Sequence, residues 1–272
     1  MDLGLQGKYA VVAGGSRGIG KAIALELARE GVDLVICSRN GTELAQTAIE
    51  IKTTTGQRVF PIVMDVTKTT DVNNTINKAA QQLGGLHILI NSAALPGGSP
   101  KAIGAIETID DASLIYDFDV KYVGALRCSR AAIPFMKKEG WGRIVNISGG
   151  NARIAGNLSG GARNVSLVHL TKTLSDQLGR YGITVNCIHP GTTRTERTPG
   201  LLSERAKENG ITLQQVEKAD FAPGSDTSNS IGRMVEAQEI GYLSAFLASD
   251  KAWAITGEVI GAGGGTGKAV YY

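Results

Sequence analysis

Short apolar runs alternate with amphipathic stretches through most of the chain. Runs of strand length lie at residues 8–13, 33–37, 58–64, 86–90, 143–147, 184–188 and 258–261. Helical periodicity separates them at residues 19–30, 41–55, 70–83, 112–138, 166–181 and 231–249. The longest helical stretch contains Pro134, where we expect a break because proline cannot donate the helical hydrogen bond. Alternation of this kind predicts an α/β fold, a single doubly wound parallel sheet with helices on both faces.

One long segment interrupts this alternation of strands and helices. Residues 192–230 are polar, and their prolines and glycines are spaced so that only weak helices are expected: Pro199, Gly200, Gly210, Pro223 and Gly224. Long excursions from a compact domain usually cover a binding site. We therefore expect one domain over residues 1–272, with a substrate lid at about residues 192–230.

The first apolar run ends in a glycine cluster that opens the first helix. The cluster is GGSRGIG at residues 14–20. Glycine at positions 14 and 18 would let phosphate groups approach backbone N–H groups, and glycine at position 20 would let the helix pack on the strand. A strand, a tight turn and a helix start in this order predict a Rossmann-type dinucleotide site, with the pyrophosphate at the helix N-terminus. A plain surface turn is the alternative.

Composition narrows the class of protein. The chain has 272 residues, 42% hydrophobic and 19% charged, which is typical of a folded domain. A net charge of +3 without a basic cluster gives no reason to expect nucleic acid. Cys37, Cys128 and Cys187 are far apart and odd in number, so we expect buried thiols and neither a disulfide nor a metal site. With no leader pattern and no apolar run near the roughly 18 residues of a membrane helix, we expect a cytoplasmic protein without membrane contact.

Eight short motifs follow one another in a characteristic order. They are GGSRGIG at residues 14–20, DV at 65–66, NSAA at 91–94, GRIVNIS at 142–148, GITVNCIHPG at 182–191, IGRM at 231–234, FLASD at 246–250 and ITG at 255–257. Through these motifs the chain resembles the short-chain dehydrogenase/reductase family over essentially its whole length. The resemblance implies an oxidoreductase that acts on a carbonyl or alcohol substrate, and a homodimer or homotetramer joined through the long helices and the last strand.

The resemblance also implies which residues bind a nicotinamide cofactor. The pyrophosphate would lie on the glycine turn, the adenosine beside the second, third and fourth strands, and the nicotinamide beside the loop after strand six. Without the other motifs, Asp65 could equally be a turn residue or a helix-cap residue. The implied cofactor residues are Gly14, Ser16, Arg17, Gly18, Ile19, Gly20, Ser38, Arg39, Asp65, Val66, Asn91, Ala93, Pro190, Gly191 and Thr193.

The end of the second strand indicates which cofactor is bound. Enzymes that use NAD usually place a carboxylate there to accept hydrogen bonds from the ribose 2′-OH. This chain has Ser38 and Arg39 instead. Arg39 and Arg17 could both reach a 2′-phosphate, and a guanidinium suits that charge. The sequence therefore favours NADP(H), unless both arginines are solvated surface charges.

The catalytic pattern of the family is not matched. The family relies on Asn, Ser, Tyr and Lys, with the Tyr and Lys in a Tyr-x-x-x-Lys motif. Aligned on LTKTL at residues 170–174, the tyrosine position falls at Gly160 and the lysine position at Asn164. No tyrosine occurs between Tyr122 and Tyr181. The chain is therefore interpreted as an atypical member of the family.

Two residues are the candidates for catalysis. Ser148 stands at the end of the fifth strand, where the family usually has a Ser-Ser pair and this chain has Ser148-Gly149. The family's catalytic serine is generally the second of the pair, but a shortened loop could let Ser148 serve. Lys121 occupies the position of the family asparagine, so that Asn and Lys have exchanged places between positions 121 and 164. Lys121 could bring its ammonium into the same space from the opposite side. The alternative is a site released from selection, with Lys121 facing water or blocking the pocket.

Other nearby residues carry weaker expectations. Gly149, Gly160 and Gly161 are expected to leave a roomier site than usual. His189 is expected to be structural, and Tyr116 and Tyr122 to pack in the core because of their helical spacing. A wall of arginines could bind an anion on the substrate side: Arg153, Arg163, Arg194 and Arg197.

Three functions remain open on the sequence. The first is an NADP(H)-dependent oxidoreductase whose ordinary carbonyl reduction is slow or absent, because loss of a general acid typically costs about 10²–10⁴ in rate. The second is a cofactor-binding pseudoenzyme that acts as a sensor or partner subunit. The third is lyase or hydratase chemistry without redox change. The substrate in each case is an unknown small molecule.

Overall fold

A seven-stranded parallel sheet lies at the centre of the molecule. The structure is a computed structural model and describes residues 1–267. In it the strands are β1 (Tyr9–Ala13), β2 (Asp33–Ser38), β3 (Val59–Val63), β4 (Ile88–Asn91), β5 (Gly142–Ile147), β6 (Ile183–Pro190), β7 (Thr193–Arg194), β8 (Val235–Glu236) and β9 (Val259–Ala262). The sheet order is β3-β2-β1-β4-β5-β6-β9, and the short strands β7 and β8 pair separately.

Helices cover both faces of this sheet, which confirms the predicted doubly wound α/β fold. They are α1 (Gly18–Arg29), α2 (Gly41–Thr55), α3 (Thr69–Leu83), α4 (Asp111–Phe118), α5 (Gly124–Glu139), α6 (Leu158–Leu178), α7 (Thr198–Asn209), α8 (Leu213–Asp220) and α9 (Ala237–Leu247). Successive strand residues point to opposite faces. Ala10 and Val12 of β1 therefore pack in one core with α1, α2 and α9, and Val11 and Ala13 pack in another with α3 and α5.

The long helical stretch differs from its prediction in where it is irregular. Pro134 lies inside the continuous helix α5, so the expected break there is wrong. Its ring is exposed, and water can take over the carbonyl that proline leaves unbonded. The irregularity is instead a π-helical turn, Asp119–Val123, between α4 and α5. Turns of this kind occur frequently at functional sites.

Helix α6 begins eight residues before its predicted start. Its first turns contain glycines and buried polar side chains, which hide the apolar period. Asn157 caps this end, because its side chain accepts a hydrogen bond of 2.8 Å from the N–H of Gly160. A polar helix end that is buried needs polar partners elsewhere in the protein, and they are described below.

Residues 192–230 contain regular structure, with β7 followed by α7 and α8. The two helices enclose a small apolar cluster of their own. None of the helices in residues 1–267 combines the length and the apolar character needed to cross a membrane.

Candidate cofactor site and chemical centre

The strand order reverses beside β1, and this creates a crevice at the carboxyl ends of β1 and β4. The loops that follow the two strands touch one another. A Cβ at Gly14 would lie only 2.7 Å from the backbone nitrogen of Ala93. Gly14 also has φ +84°, a conformation that favours glycine. Close packing against the loop after β4 therefore explains by itself why position 14 is a glycine.

The glycine turn is packed as tightly as the sequence predicts. A Cβ at Gly20 would lie 2.0 Å from the carbonyl oxygen of Gly14. A side chain there would push α1 away from the end of β1. Gly18, the first residue of α1, has φ +57°, and its N–H makes a solvent-exposed hydrogen bond to a side chain outside the helix. Exposed N–H groups at a helix N-terminus favour an anion.

An anion of the protein itself lies on this turn. The Glu196 carboxylate accepts a hydrogen bond of 3.1 Å from the N–H of Gly18. A Cβ at Gly18 would lie 3.6 Å from Cγ2 of Thr195 and 3.9 Å from Oε1 of Glu196. The segment after β7 therefore covers the glycine turn.

The end of β2 has the predicted basic character. The Arg39 guanidinium donates a hydrogen bond of 2.6 Å to the hydroxyl of Tyr116 on α4. Tyr116 is 38% exposed, so the interpretation of this tyrosine as a core residue is wrong. The helical spacing of Tyr116 could not predict its contact with Arg39, because the two residues are 77 positions apart.

Arg17 and Ser16 meet one carboxylate on α2. The Ser16 hydroxyl donates to Glu43 at 2.8 Å, and Nη1 of Arg17 lies 3.8 Å from the same side chain. The Arg17 side chain is half exposed, and such pairs contribute little to stability. Ser38 donates to the backbone carbonyl of Asn40 at 3.2 Å.

Asp65, after β3, and Asn91, the last residue of β4, each belong to a hydrogen-bond network. The Asp65 carboxylate accepts from both the N–H and the hydroxyl of Thr67. Burial opposes ionisation of Asp65, but these bonds outweigh it and lower its pKa. Asn91 donates to Asn146 at 2.9 Å and to Ser129 at 3.2 Å. Asp65 thus has a turn-forming role, which the sequence left as an alternative.

The loop after β6 lies against the end of the last strand. A Cβ at Gly191 would lie 2.6 Å from Cα of Gly263. Pro190 is paired with Ala262 of β9. The Thr193 hydroxyl donates to the Gly191 carbonyl at 2.9 Å. These contacts fix the loop close to the carboxyl edge of the sheet.

The two candidate catalytic residues are in contact. Nζ of Lys121, on the π-helical turn, donates a hydrogen bond of 3.1 Å to the Ser148 carbonyl. The Ser148 hydroxyl donates to the Asn164 carbonyl at 2.9 Å. Lys121 and Asn164 therefore both form a hydrogen bond with Ser148. Lys121 is only 7% exposed and does not point into water.

Burial controls the charge of this centre. Desolvation, and then the positive charge of Arg163, lower the pKa of Lys121 to about 7. Desolvation, followed by the charges of Arg153 and Lys121, lowers the pKa of His189 to about 4. His189 is therefore neutral at pH 7, and within residues 1–267 its Nδ1 has no hydrogen-bond partner.

A buried carboxylate that the sequence did not reveal joins α4 to α6. Asp117 is fully buried and accepts from the hydroxyls of Ser159 at 2.5 Å and Ser99 at 2.6 Å. Oδ2 of Asp117 lies 3.6 Å from Nη1 of Arg163. Burial opposes its ionisation, but these bonds and this charge lower its pKa. The polar start of α6 is buried because Asp117 satisfies it.

The expected extra space at the glycines is not present. A Cβ at Gly149 would lie 2.6 Å from Nδ2 of Asn164, and one at Gly160 would lie 3.2 Å from Nδ2 of Asn151. Asparagine side chains take up the room that the small residues leave. The prediction of a roomier site is therefore wrong at Gly149 and Gly160.

The arginine wall is brought together only in part. Arg163 is buried beside Asp117 and donates to the Leu95 carbonyl at 3.0 Å. Arg153 is exposed and lies close enough to His189 to affect its pKa. Arg194 is paired with Glu217 and Glu236, which leaves it poorly placed to bind another anion.

Comparison with known proteins gives consistent matches over the whole chain. The family model for short chain dehydrogenase matches residues 8–206. NADPH-dependent reductase BacG of Bacillus subtilis is 33% identical over 266 residues, which cover 97% of this chain and 99% of the relative. The 3-oxoacyl-[acyl-carrier-protein] reductase FabG of Staphylococcus aureus is 32% identical over 260 residues, 95% of this chain and 97% of the relative.

A solved structure agrees at the level of the whole fold. L-sorbose reductase from Gluconobacter frateurii, complexed with NADPH and L-sorbose, superposes with a TM-score of 0.92 at 28% sequence identity. The match covers 99% of this chain and 100% of that protein. The site described above therefore lies in a fold that accommodates NADPH in a similar protein.

Proposed function

The chain belongs to the short-chain dehydrogenase family, and from that membership we propose that it is an NADP(H)-dependent oxidoreductase with altered proton-transfer residues. It is an atypical member without the Tyr-x-x-x-Lys pair. The observation that carries this proposal is the contact between the buried Lys121 amine and Ser148. The substrate is a small molecule with a carbonyl or alcohol group.

The residues present fit NADP(H). The hydrogen bond from the Gly18 N–H to the Glu196 carboxylate supports an anion site at the glycine turn. Arg39 and Arg17 supply guanidinium groups at the end where a 2′-phosphate is expected. BacG is named as NADPH-dependent and the sorbose reductase structure contains NADPH, which supports the same choice here. Asp65, Val66, Asn91 and Ala93 would contact the adenosine, and Pro190, Gly191 and Thr193 the nicotinamide.

In this proposal Lys121 replaces the family tyrosine as the proton donor. The cofactor, when bound, exchanges a hydride with the carbonyl carbon of the substrate. The protein must then supply a proton to the carbonyl oxygen. A lysine with a pKa of about 7 is partly protonated at neutral pH, as an effective general acid requires. Ser148 would orient the substrate oxygen, after turning its hydroxyl away from Asn164.

Residues 192–230 would act as the lid of this site within a single domain. Their first residues already lie over the glycine turn through Thr195 and Glu196. Helices α7 and α8 pack on one another, so that the segment can move as one body.

Turnover of NADPH by matched variants tests the proposal. Oxidation of NADPH is followed at 340 nm with a panel of small ketones and aldehydes, for the wild type, Lys121→Met, Ser148→Ala and the exposed control Lys101→Met. We expect slow turnover in the wild type and the control, reduced about 100-fold or more in Lys121→Met. Equal rates in Lys121→Met would exclude Lys121 as the donor. Tight binding of NADPH without NADPH oxidation, in the wild type and in every variant, would favour a cofactor-binding pseudoenzyme.

A further inference from the structure

Glu196 lies where the proposed cofactor needs its phosphate site. Its carboxylate is 3.1 Å from the N–H of Gly18, the first residue of α1. The N-cap residue Arg17 makes no side-chain capping bond in the described part of the chain, and the first turn of α1 carries no acidic residue. A residue 178 positions away therefore supplies the negative charge that this helix end favours.

The backbone around Glu196 is held in place independently of this contact. Arg194 is fixed by Glu217 and Glu236. The N–H of Thr195 donates to the Thr198 hydroxyl at 3.0 Å, which closes a turn at the start of α7. Glu196 itself is exposed. Its side chain can therefore rotate into water and leave the rest of the segment where it is.

We propose that Glu196 is an internal competitor for the cofactor pyrophosphate and thereby limits how tightly NADP(H) is held. This inference rests on the proposed function, because it assumes that the dinucleotide lies on the glycine turn. One N–H cannot donate a full hydrogen bond to both a carboxylate and a phosphate. Two anions at the same helix end also repel one another. Binding of the cofactor must therefore expel the Glu196 side chain, at a cost in affinity.

The size of the effect follows from the strength of such contacts. A carboxylate at an exposed helix N-terminus is worth a factor of about 2–5 in an equilibrium constant. Relief of the repulsion acts in the same direction. We therefore expect a dissociation constant for NADPH that is about 3- to 10-fold lower in Glu196→Gln, with faster release in the wild type.

The test compares two glutamine variants and two nucleotides. Dissociation constants for NADPH and for 2′-AMP, which lacks a pyrophosphate, are measured by titration of the wild type, Glu196→Gln and Glu204→Gln. Glu204 is an exposed glutamate of α7, and its substitution removes the same charge from the same segment. We expect tighter NADPH binding in Glu196→Gln alone, unchanged 2′-AMP binding in both variants, and a difference that shrinks as salt is added.

Failure of the inference and failure of the proposed cofactor give different results. Equal NADPH affinity in the wild type and Glu196→Gln, or equal tightening in Glu204→Gln, would overturn the inference alone. Absence of NADPH binding in all three proteins would overturn the proposed cofactor and this inference with it.

Discussion

Gly20 determines how closely the first helix approaches the first strand. We expect Gly20→Ala to lower the free energy of unfolding by about 2–4 kcal/mol, since a Cβ only 2.0 Å from the Gly14 carbonyl forces α1 to shift. Gly179→Ala is the matched control, because a Cβ there meets nothing within 4 Å and the residue is already helical. Urea denaturation of both variants measures the difference. Equal stabilities would contradict the tight packing of the turn.

Tyr116 positions Arg39 through its hydroxyl. We expect Tyr116→Phe to weaken NADPH binding about 3-fold and to leave NADH binding unchanged, because only the 2′-phosphate depends on the guanidinium. Tyr122→Phe serves as the control, since Tyr122 packs in an apolar cluster with Leu167. Calorimetric titration with the two nucleotides distinguishes the cases. Equal losses for NADPH and NADH would assign Tyr116 a general structural role.

The π-helical turn between α4 and α5 buries a lysine, and this makes stability depend on pH. The native pKa of Lys121 is about 7 and its ordinary value is 10.5, so between these values the unfolded state binds more protons. Stability must then rise with pH across this window, by up to about 1.4 kcal/mol per pH unit. We expect a shallower rise in Lys121→Met, measured by urea denaturation at pH 7.5 and 9.5. Parallel profiles would show that the amine is solvated.

Helices α4 and α6 are joined by Asp117. We expect Asp117→Ala to cost about 3–5 kcal/mol, because it leaves Arg163 buried without its carboxylate and two hydroxyls without an acceptor. The double variant Asp117→Ala/Arg163→Met should recover part of the loss, since it removes the unpaired charge. Denaturant midpoints of Asp117→Ala, Arg163→Met and the double variant test the coupling. Additive losses would show that the two residues act independently.

Elements with a strong apolar period were predictable, and elements held by tertiary contacts were not. The strands of the central sheet lie within about two residues of their predicted bounds, because each is a continuous apolar run. Most of the residues in β1, β2, β4, β5 and β6 are buried, as expected for the interior strands of a parallel sheet. The start of α6 was missed because its buried polar side chains are satisfied by Asp117, on another helix. The position of the long-helix irregularity was missed because an exposed proline is tolerated in α5, whereas the π-helical turn has no sequence signal.

In the candidate site, too, features that belong to sequence motifs were predictable and features that depend on tertiary contacts were not. The glycine turn was predictable from motif order, and so was the proximity of positions 121 and 164, which are both hydrogen-bonded to Ser148. The roles of Tyr116 and Glu196 depend on residues that are distant in sequence and meet only in the folded chain.

Across the whole molecule, the parallel sheet gathers the loops of many strands along one edge. The glycine turn after β1, Ser148 after β5 and the loop after β6 all lie there because every strand of the sheet points the same way. A homodimer or homotetramer remains a prediction from the family resemblance, and so does a cytoplasmic location. The mass of the protein in solution tests the first of these.

The central claim is that this edge of the sheet binds NADP(H). The most direct measurement is the melting temperature with NADPH, NADP⁺ and NADH, each at the same concentration. A ligand at 100 times its dissociation constant adds about 2.7 kcal/mol of stability, which corresponds to a rise of about 5 °C or more. We expect that rise with NADPH and NADP⁺ and a much smaller one with NADH. An equal rise with NADH would contradict the role of Arg17 and Arg39, and no rise with any nucleotide would contradict the cofactor site itself.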